Sequence, residues 1–137
     1  MFRALAIAVA LTLPLCAQAE EQQWVEVGAD TEAKYYVDRS SIEVDGETIR
    51  FRKRGVYTNP LTDNFSGRPV LFKESVGTVE VDCGRRINRV TSIEMLDMDG
   101  AVVWSSGRMT KRMWEEVRDN SHGGQTFEYV CRNVGKS

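Results

Sequence analysis

The sequence predicts an α+β fold in which about six antiparallel strands form a sheet that packs with one short helix, closed by one disulfide. Three observations support this fold class. Apolar and polar residues alternate along most of the chain, Asp-Gly pairs stand where tight turns are expected, and one segment near the C-terminus has apolar residues at every fourth position.

Residues 1–19 have the features of a secretory signal peptide. Arg3 is the only charged residue, Ala4 to Leu15 is an apolar run, and Ala17-Gln18-Ala19 is a small-x-small cleavage site. The apolar run is shorter than the roughly 20 residues that span a bilayer. We therefore expect an exported protein without a transmembrane segment.

A lipoprotein is the alternative for this segment. Cys16 would then carry the lipid, with Leu13 three residues before it, but Leu15 is bulky where a small residue is expected. In either case Cys16 takes no part in a structural disulfide. The remaining residues, 20–137, are predicted to form a single domain, which suits their number.

Charge excludes one class of function. The chain has 18 basic and 20 acidic residues, with a formal net charge of −2. Nucleic-acid-binding proteins are usually strongly basic. We therefore expect no nucleic-acid partner.

The alternation predicts most of the sheet. We expect strands at residues 24–27, 34–37, 42–44, 48–57, 71–83, 87–96 and 101–104. Asp45-Gly46 and Asp99-Gly100 are typical hairpin turns between such strands. Residues 59–69 contain Pro, Gly, Asn and Ser, which predicts a loop.

The C-terminal part predicts a helix followed by a last strand. Met109, Met113 and Val117 recur every four residues, with Trp114 beside them, which favours a short amphipathic helix over residues 108–118. We expect Met113 and Trp114 to pack this helix on the sheet. Residues 121–124 interrupt the pattern, and alternation returns in residues 125–132.

Two cysteines remain once Cys16 is set aside. Cys83 and Cys131 each fall on the apolar face of a predicted strand. An inter-strand disulfide between them fits both the buried positions and an oxidising compartment.

No catalytic or metal site emerges from the sequence. His122 is the only histidine and lies in a Ser-His-Gly-Gly segment without a nucleophile motif, so we expect a surface loop. The Asp97-x-Asp99 pair lacks the further ligands of a calcium loop, and two cysteines with one histidine do not make a zinc site. We expect a non-enzymatic protein that needs no cofactor.

One cluster has the chemistry of a contact surface. Arg50, Arg52 and Arg54 would stand on one side of a strand, roughly 6–7 Å apart. Guanidinium groups in a row suit carboxylates or sulfates, so a protein or an acidic glycan is the expected partner. The alternative is that Glu80 and Asp82 on the neighbouring strand pair with these arginines.

The order of several short motifs resembles a known family. Trp24, Tyr35-Tyr36-Val37-Asp38, Val81-Asp82-Cys83 and Trp114-x-x-Val117 are followed by a last segment that ends at Cys131. In this order they resemble the bacterial surface-adhesin protein E domain, over residues 24 to 132.

This resemblance implies a small exported protein of a Gram-negative bacterium with an antiparallel sheet, a helix and no catalytic residues. The founding adhesins attach to host matrix and serum proteins. We therefore expect an exported binding module that acts as an adhesin on host or envelope proteins. The alternative is a periplasmic structural or envelope-maintenance protein with no host ligand. The sequence leaves open the compartment, periplasm or cell surface, and the oligomeric state.

Overall fold

The computed structural model describes residues 21–65 and 67–134 and confirms the predicted α+β class. The predicted signal peptide, including Cys16, lies outside the described residues. The elements in chain order are β1 (Trp24–Ala29), β2 (Ala33–Asp45), β3 (Thr48–Phe65), β4 (Arg68–Asp82), β5 (Ile87–Leu96), β6 (Val102–Ser105), β7 (Glu115–Glu116) and α1 (His122–Asn133).

Strands β1 to β6 form an antiparallel meander in which each strand pairs with the next. The two-residue β7 continues the edge of β5 beyond β6. Both Asp-Gly turns form as predicted, and Gly46 and Gly100 have φ angles of 62° and 81°. These left-handed conformations strain residues that carry a Cβ, which explains glycine at both positions.

The loop predicted at residues 59–69 is wrong, because β3 and β4 continue through it as a long hairpin. Leu61 pairs with Phe72, and Asn64 pairs with Pro69. The register shifts between Val56 and Leu61, so Pro60 falls in the irregular stretch. A proline has no amide hydrogen for the ladder and is tolerated at such a shift.

The helix predicted at residues 108–118 is also wrong, because this segment runs extended along the edge of β5. The amide of Met109 donates to the carbonyl of Thr91, and the amide of Val117 donates to the carbonyl of Arg86. A spacing of four residues also keeps side chains on one face of an extended chain. Met113, which was expected in the core, is 79% exposed.

The helix lies instead where the last strand was predicted. Ser121 caps α1, and its Oγ accepts a hydrogen bond from the amide of Gly124 at 3.0 Å. A Cβ on Gly124 would lie 2.4 Å from the carbonyl oxygen of Arg118, so only glycine allows this approach. Phe127 and Val130 form the buried side of the helix.

Helix α1 covers part of one face of the sheet, which we call the inner face. Val37, Phe51 and Val81 of this face form one core with Phe127 and Val130. We call the opposite face, which bears Arg50, Arg52 and Arg54, the outer face.

The predicted disulfide between Cys83 and Cys131 is present, with Cα atoms 5.8 Å apart. It joins the end of β4 to α1, so it links strand to helix and not strand to strand. Both cysteines pack against the core, which holds the helix on the inner face.

Candidate functional site

The three arginines predicted as a contact surface stand on the outer face. Strand β3 places Arg50, Arg52 and Arg54 opposite Glu80, Thr78 and Val76 of β4. Because alternate residues of a strand face opposite sides, Phe51 and Lys53 point to the inner face. The row of arginines is therefore a direct result of the pleat of β3.

Two of the arginines form ion pairs, but not with the expected acids. Arg50 pairs with Glu43 of β2, and the Nε and Nη2 atoms of Arg54 donate to Glu74 at 3.1 and 2.7 Å. The outer face thus carries paired guanidinium groups at both ends of the row.

The carboxylates that were expected to pair with the row have other partners. Glu80 pairs with Arg89 at 3.2 Å, and Asp82 lies 3.7 Å from Arg85. Arg89 is on β5, so Glu80 is drawn toward the strand on its other side. The alternative that Glu80 and Asp82 form ion pairs with the three arginines is therefore wrong.

Arg52 lies against Trp24. Its guanidinium carbon is 6.0 Å from the centre of the indole ring, and that of Arg54 is 5.8 Å from the same ring. Arg52 forms no ion pair with another described residue. Its guanidinium donors therefore remain available to a partner, while Trp24 supplies apolar surface beside them.

A buried carboxylate lies beside Arg52 on the neighbouring strand. Asp38 is 2% exposed and pairs in register with Arg52. Burial alone raises its pKa, but hydrogen bonds from Ser40 and Gln23 and the charge of Arg52 bring the pKa of Asp38 below its ordinary value. A negative charge at Asp38 therefore lies next to Arg52.

A second arginine and tryptophan meet at the other side of the outer face. The Arg89 guanidinium carbon is 4.4 Å from the centre of the Trp114 ring. The Nε atom of Arg89 is buried and has no hydrogen-bond partner among the described residues. Trp114 thus covers an arginine and does not anchor a helix.

The inner face holds a cluster that sequence reasoning missed. His122 begins α1, and its ring stacks on Tyr35 with centroids 4.4 Å apart. The Nζ atom of Lys53 lies 2.7 Å from Nδ1 of His122. His122 is exposed, as expected, but belongs to a helix and not to a loop. In the sequence Lys53 stands between Arg52 and Arg54, and only the position of α1 brings it next to His122.

Burial governs the titration of this cluster. It lowers the pKa of Lys53 to about 8. Burial, together with the charge of Lys53, also lowers the pKa of His122. The neutral imidazole then accepts the lysine hydrogen bond at Nδ1.

Within residues 21–65 and 67–134, no three His, Cys, Asp or Glu side chains are grouped so that they could hold a metal ion. None of the helices in that part of the chain has the length and apolar character needed to cross a membrane.

Comparisons with known proteins agree with this architecture. The family model described as surface-adhesin protein E matches residues 24–132. The fold is similar to the solved structure of Haemophilus influenzae protein E, with a TM-score of 0.61 over 83% of this chain and 87% of that chain. Their identity is 14%, so this likeness shows the fold alone. A search of curated proteins finds no match.

Proposed function

The chain belongs to the surface-adhesin protein E family, and we propose that this adhesin binds an acidic protein partner through its outer face. An adhesin acts by binding, so its function depends on exposed surface groups and not on a catalytic centre. Family membership favours this function over the envelope-maintenance alternative.

The observation that carries the proposal is the arrangement of Arg52 and Trp24. Arg52 has no carboxylate paired with it in the described residues, whereas Arg50 and Arg54 on either side do. Arginine and tryptophan are enriched where proteins bind one another, because they combine large contact area with directed hydrogen bonds. A carboxylate on the partner would fill the open donors of Arg52.

Reversing the charge of two arginines in the row tests this proposal. The Arg50→Glu and Arg52→Glu double variant should bind a coated basement-membrane protein extract at least tenfold more weakly than the parent protein. Its binding should also depend less on salt, since exposed charges are screened beyond about 8 Å at physiological ionic strength.

The matched control makes the same change of charge elsewhere. Arg68 and Arg132 are exposed and lie at the β3–β4 hairpin and on α1, away from the row. Arg68→Glu with Arg132→Glu should leave binding nearly unchanged. Equal losses of extract binding in both double variants would show that net charge alone is responsible. If the Arg50 and Arg52 variant loses binding to heparin but not to the protein extract, the partner is a glycan.

We further propose that the protein acts on the outside of the cell after cleavage following Ala19. The signal-like residues 1–19 and the adhesin family support this location. Protease treatment of intact cells should then remove the protein, whereas a periplasmic protein would be protected. A diacylglycerol increment in the intact mass would show that Cys16 is lipidated instead.

A further inference from the structure

The inner face has a pocket beside α1. Its walls are apolar side chains from β2, β3 and β5, and its floor is formed where β3 and β4 carry glycine. The pocket has a volume of about 190 Å³. Its main lining residues are Tyr35, Gly55, Tyr57, Gly77, Ile93 and Met95.

The two glycines give the pocket its depth. A Cβ on Gly77 would lie 2.8 Å from the carbonyl oxygen of Ser92, and a Cβ on Gly55 would lie 3.0 Å from Oγ of Ser75. Gly77 therefore has no room for a Cβ, and a Cβ on Gly55 would require the Ser75 side chain to move. Without these side chains the floor stays lower than the surrounding residues. Tyr35 and Tyr57 both line the pocket, so a flat apolar group in it can contact an aromatic ring.

A single cation stands at the helix end of this pocket. Lys53 lines it together with His122, and the Lys53 Nζ is 5.2 Å from the centre of the Tyr35 ring. In the described part of the chain, Lys53 forms no ion pair, in contrast to Arg50 and Arg54. A half-buried ammonium group without a counterion is unfavourable, and an anion placed in the pocket would relieve this.

We propose that the pocket binds a small organic acid, with its carboxylate at Lys53 and one aromatic or branched apolar group over Gly55 and Gly77. The size is suitable, because a cavity of about 150 Å³ is enough to hold benzene. A single ring with a short carboxylate arm fits this space. The pocket and the arginine row lie on opposite faces, so this inference does not rest on the proposed function.

Phenylacetate is a direct probe, with phenethyl alcohol as its uncharged counterpart. In a titration of the exported protein followed by ¹⁵N NMR, phenylacetate should give saturable shifts of the Gly55 and Gly77 amides. The alcohol should bind at least tenfold more weakly. Equal binding of acid and alcohol, or no saturable shift at millimolar phenylacetate, would overturn the proposal.

Variants locate the carboxylate and the ring separately. Lys53→Met should weaken phenylacetate binding at least tenfold, whereas Lys34→Met, at an exposed lysine of β2, should leave it unchanged. Gly55→Ala fills the floor and should weaken both acid and alcohol. If Lys53→Met binds phenylacetate as tightly as the parent protein, the proposal fails.

The pH dependence gives an independent readout. Around Lys53 stand Tyr35, Tyr57 and His122, with Glu115 lining the adjoining cavity and Asp30 bonded to the Tyr35 hydroxyl. Burial and the neighbouring Asp30 raise the pKa of Tyr35 to about 12, and the pKa of Lys53 lies at about 8.

Lysine deprotonation therefore controls binding between pH 7 and 10 in this cluster, since binding of an anion favours the protonated amine. Affinity for phenylacetate should fall by up to about tenfold per pH unit above pH 8. A flat profile in the parent protein would contradict a carboxylate at Lys53.

Discussion

Positively charged side chains on the two faces of the sheet differ in whether they form ion pairs. On the outer face, Arg50 and Arg54 are paired with carboxylates of neighbouring strands. On the inner face, Lys53 lies against Tyr35 and His122 and has no ion pair with a described residue. Residues adjacent in one strand thus have different chemistry, because the pleat sends them to opposite sides.

The charged groups on the two faces also differ in their exposure to solvent. Exposed arginine pairs are screened by water and can exchange one carboxylate for another at little cost. The ammonium group of Lys53 is partly removed from water, and burial lowers its pKa to about 8. The outer face therefore suits a broad protein contact, whereas the inner face suits a small ligand with one charge.

The largest expected effect separates the covered inner face from the exposed edge. Phe127 is 2% exposed and belongs to the core, so Phe127→Ala should lower the free energy of unfolding by about 3–5 kcal/mol. Met113→Ala, at a residue that is 79% exposed, should change it by less than about 0.5 kcal/mol. Urea unfolding of both variants measures this contrast. Similar losses of unfolding free energy in the two variants would contradict the packing of α1 on the inner face.

Loss of the disulfide should have the second-largest effect on stability. Replacing Cys83 and Cys131 together by alanine should lower the free energy of unfolding by about 2–5 kcal/mol, because the link constrains the unfolded chain and holds α1 on the sheet. Reduction of the parent protein should give a similar loss. Two free thiols in the exported, unreduced protein would contradict the link.

Removal of the partly buried Lys53 ammonium group should stabilise the protein. Lys53→Met should raise the free energy of unfolding at pH 7 by about 1–2 kcal/mol, since the ammonium group is partly desolvated only in the folded state. The folded-state pKa of Lys53 is about 8, below its ordinary value of 10.5. The unfolded chain thus holds more protons between these values.

Parent stability should therefore rise relative to the variant as pH increases through this window, and the gap should close. Urea unfolding at pH 7 and 10 measures this change. A constant gap would mean that Lys53 keeps its ordinary pKa in the fold.

The sheet could be predicted from sequence because its strands alternate clearly. Strand β5 was predicted with its observed bounds, and both Asp-Gly turns formed. The helix predicted at residues 108–118 and the strand predicted at residues 125–132 failed for one shared reason, since residues four positions apart lie on one face in a helix and in a strand alike. Met109 with Met113 and Phe127 with Cys131 have this spacing. Ser121 as an N-cap was the signal that favoured a helix in the second case.

The candidate site was predicted only in part. The outward row of Arg50, Arg52 and Arg54 follows from alternation within β3. Contacts between Arg52 and Trp24, or between Lys53 and His122, join residues far apart in the chain. These contacts depend on strand register and on the position of α1. Neither can be read from the alternation of residues within a single segment.

The smallest expected effect tests whether the outer face is free to change partners. The Arg54 and Glu74 side chains are 31% and 22% exposed, and those of Arg50 and Glu43 are 53% and 64% exposed. A double-mutant cycle to alanine should give a coupling of about 0.2–1 kcal/mol for Arg54 with Glu74, which decreases with salt. The same cycle should detect no coupling for Arg50 with Glu43, because water screens that pair more strongly. A stronger coupling for the Arg50 pair than for the Arg54 pair would mean that the row is fixed within the fold, and Trp24 with Arg52 would then be left as the contact surface.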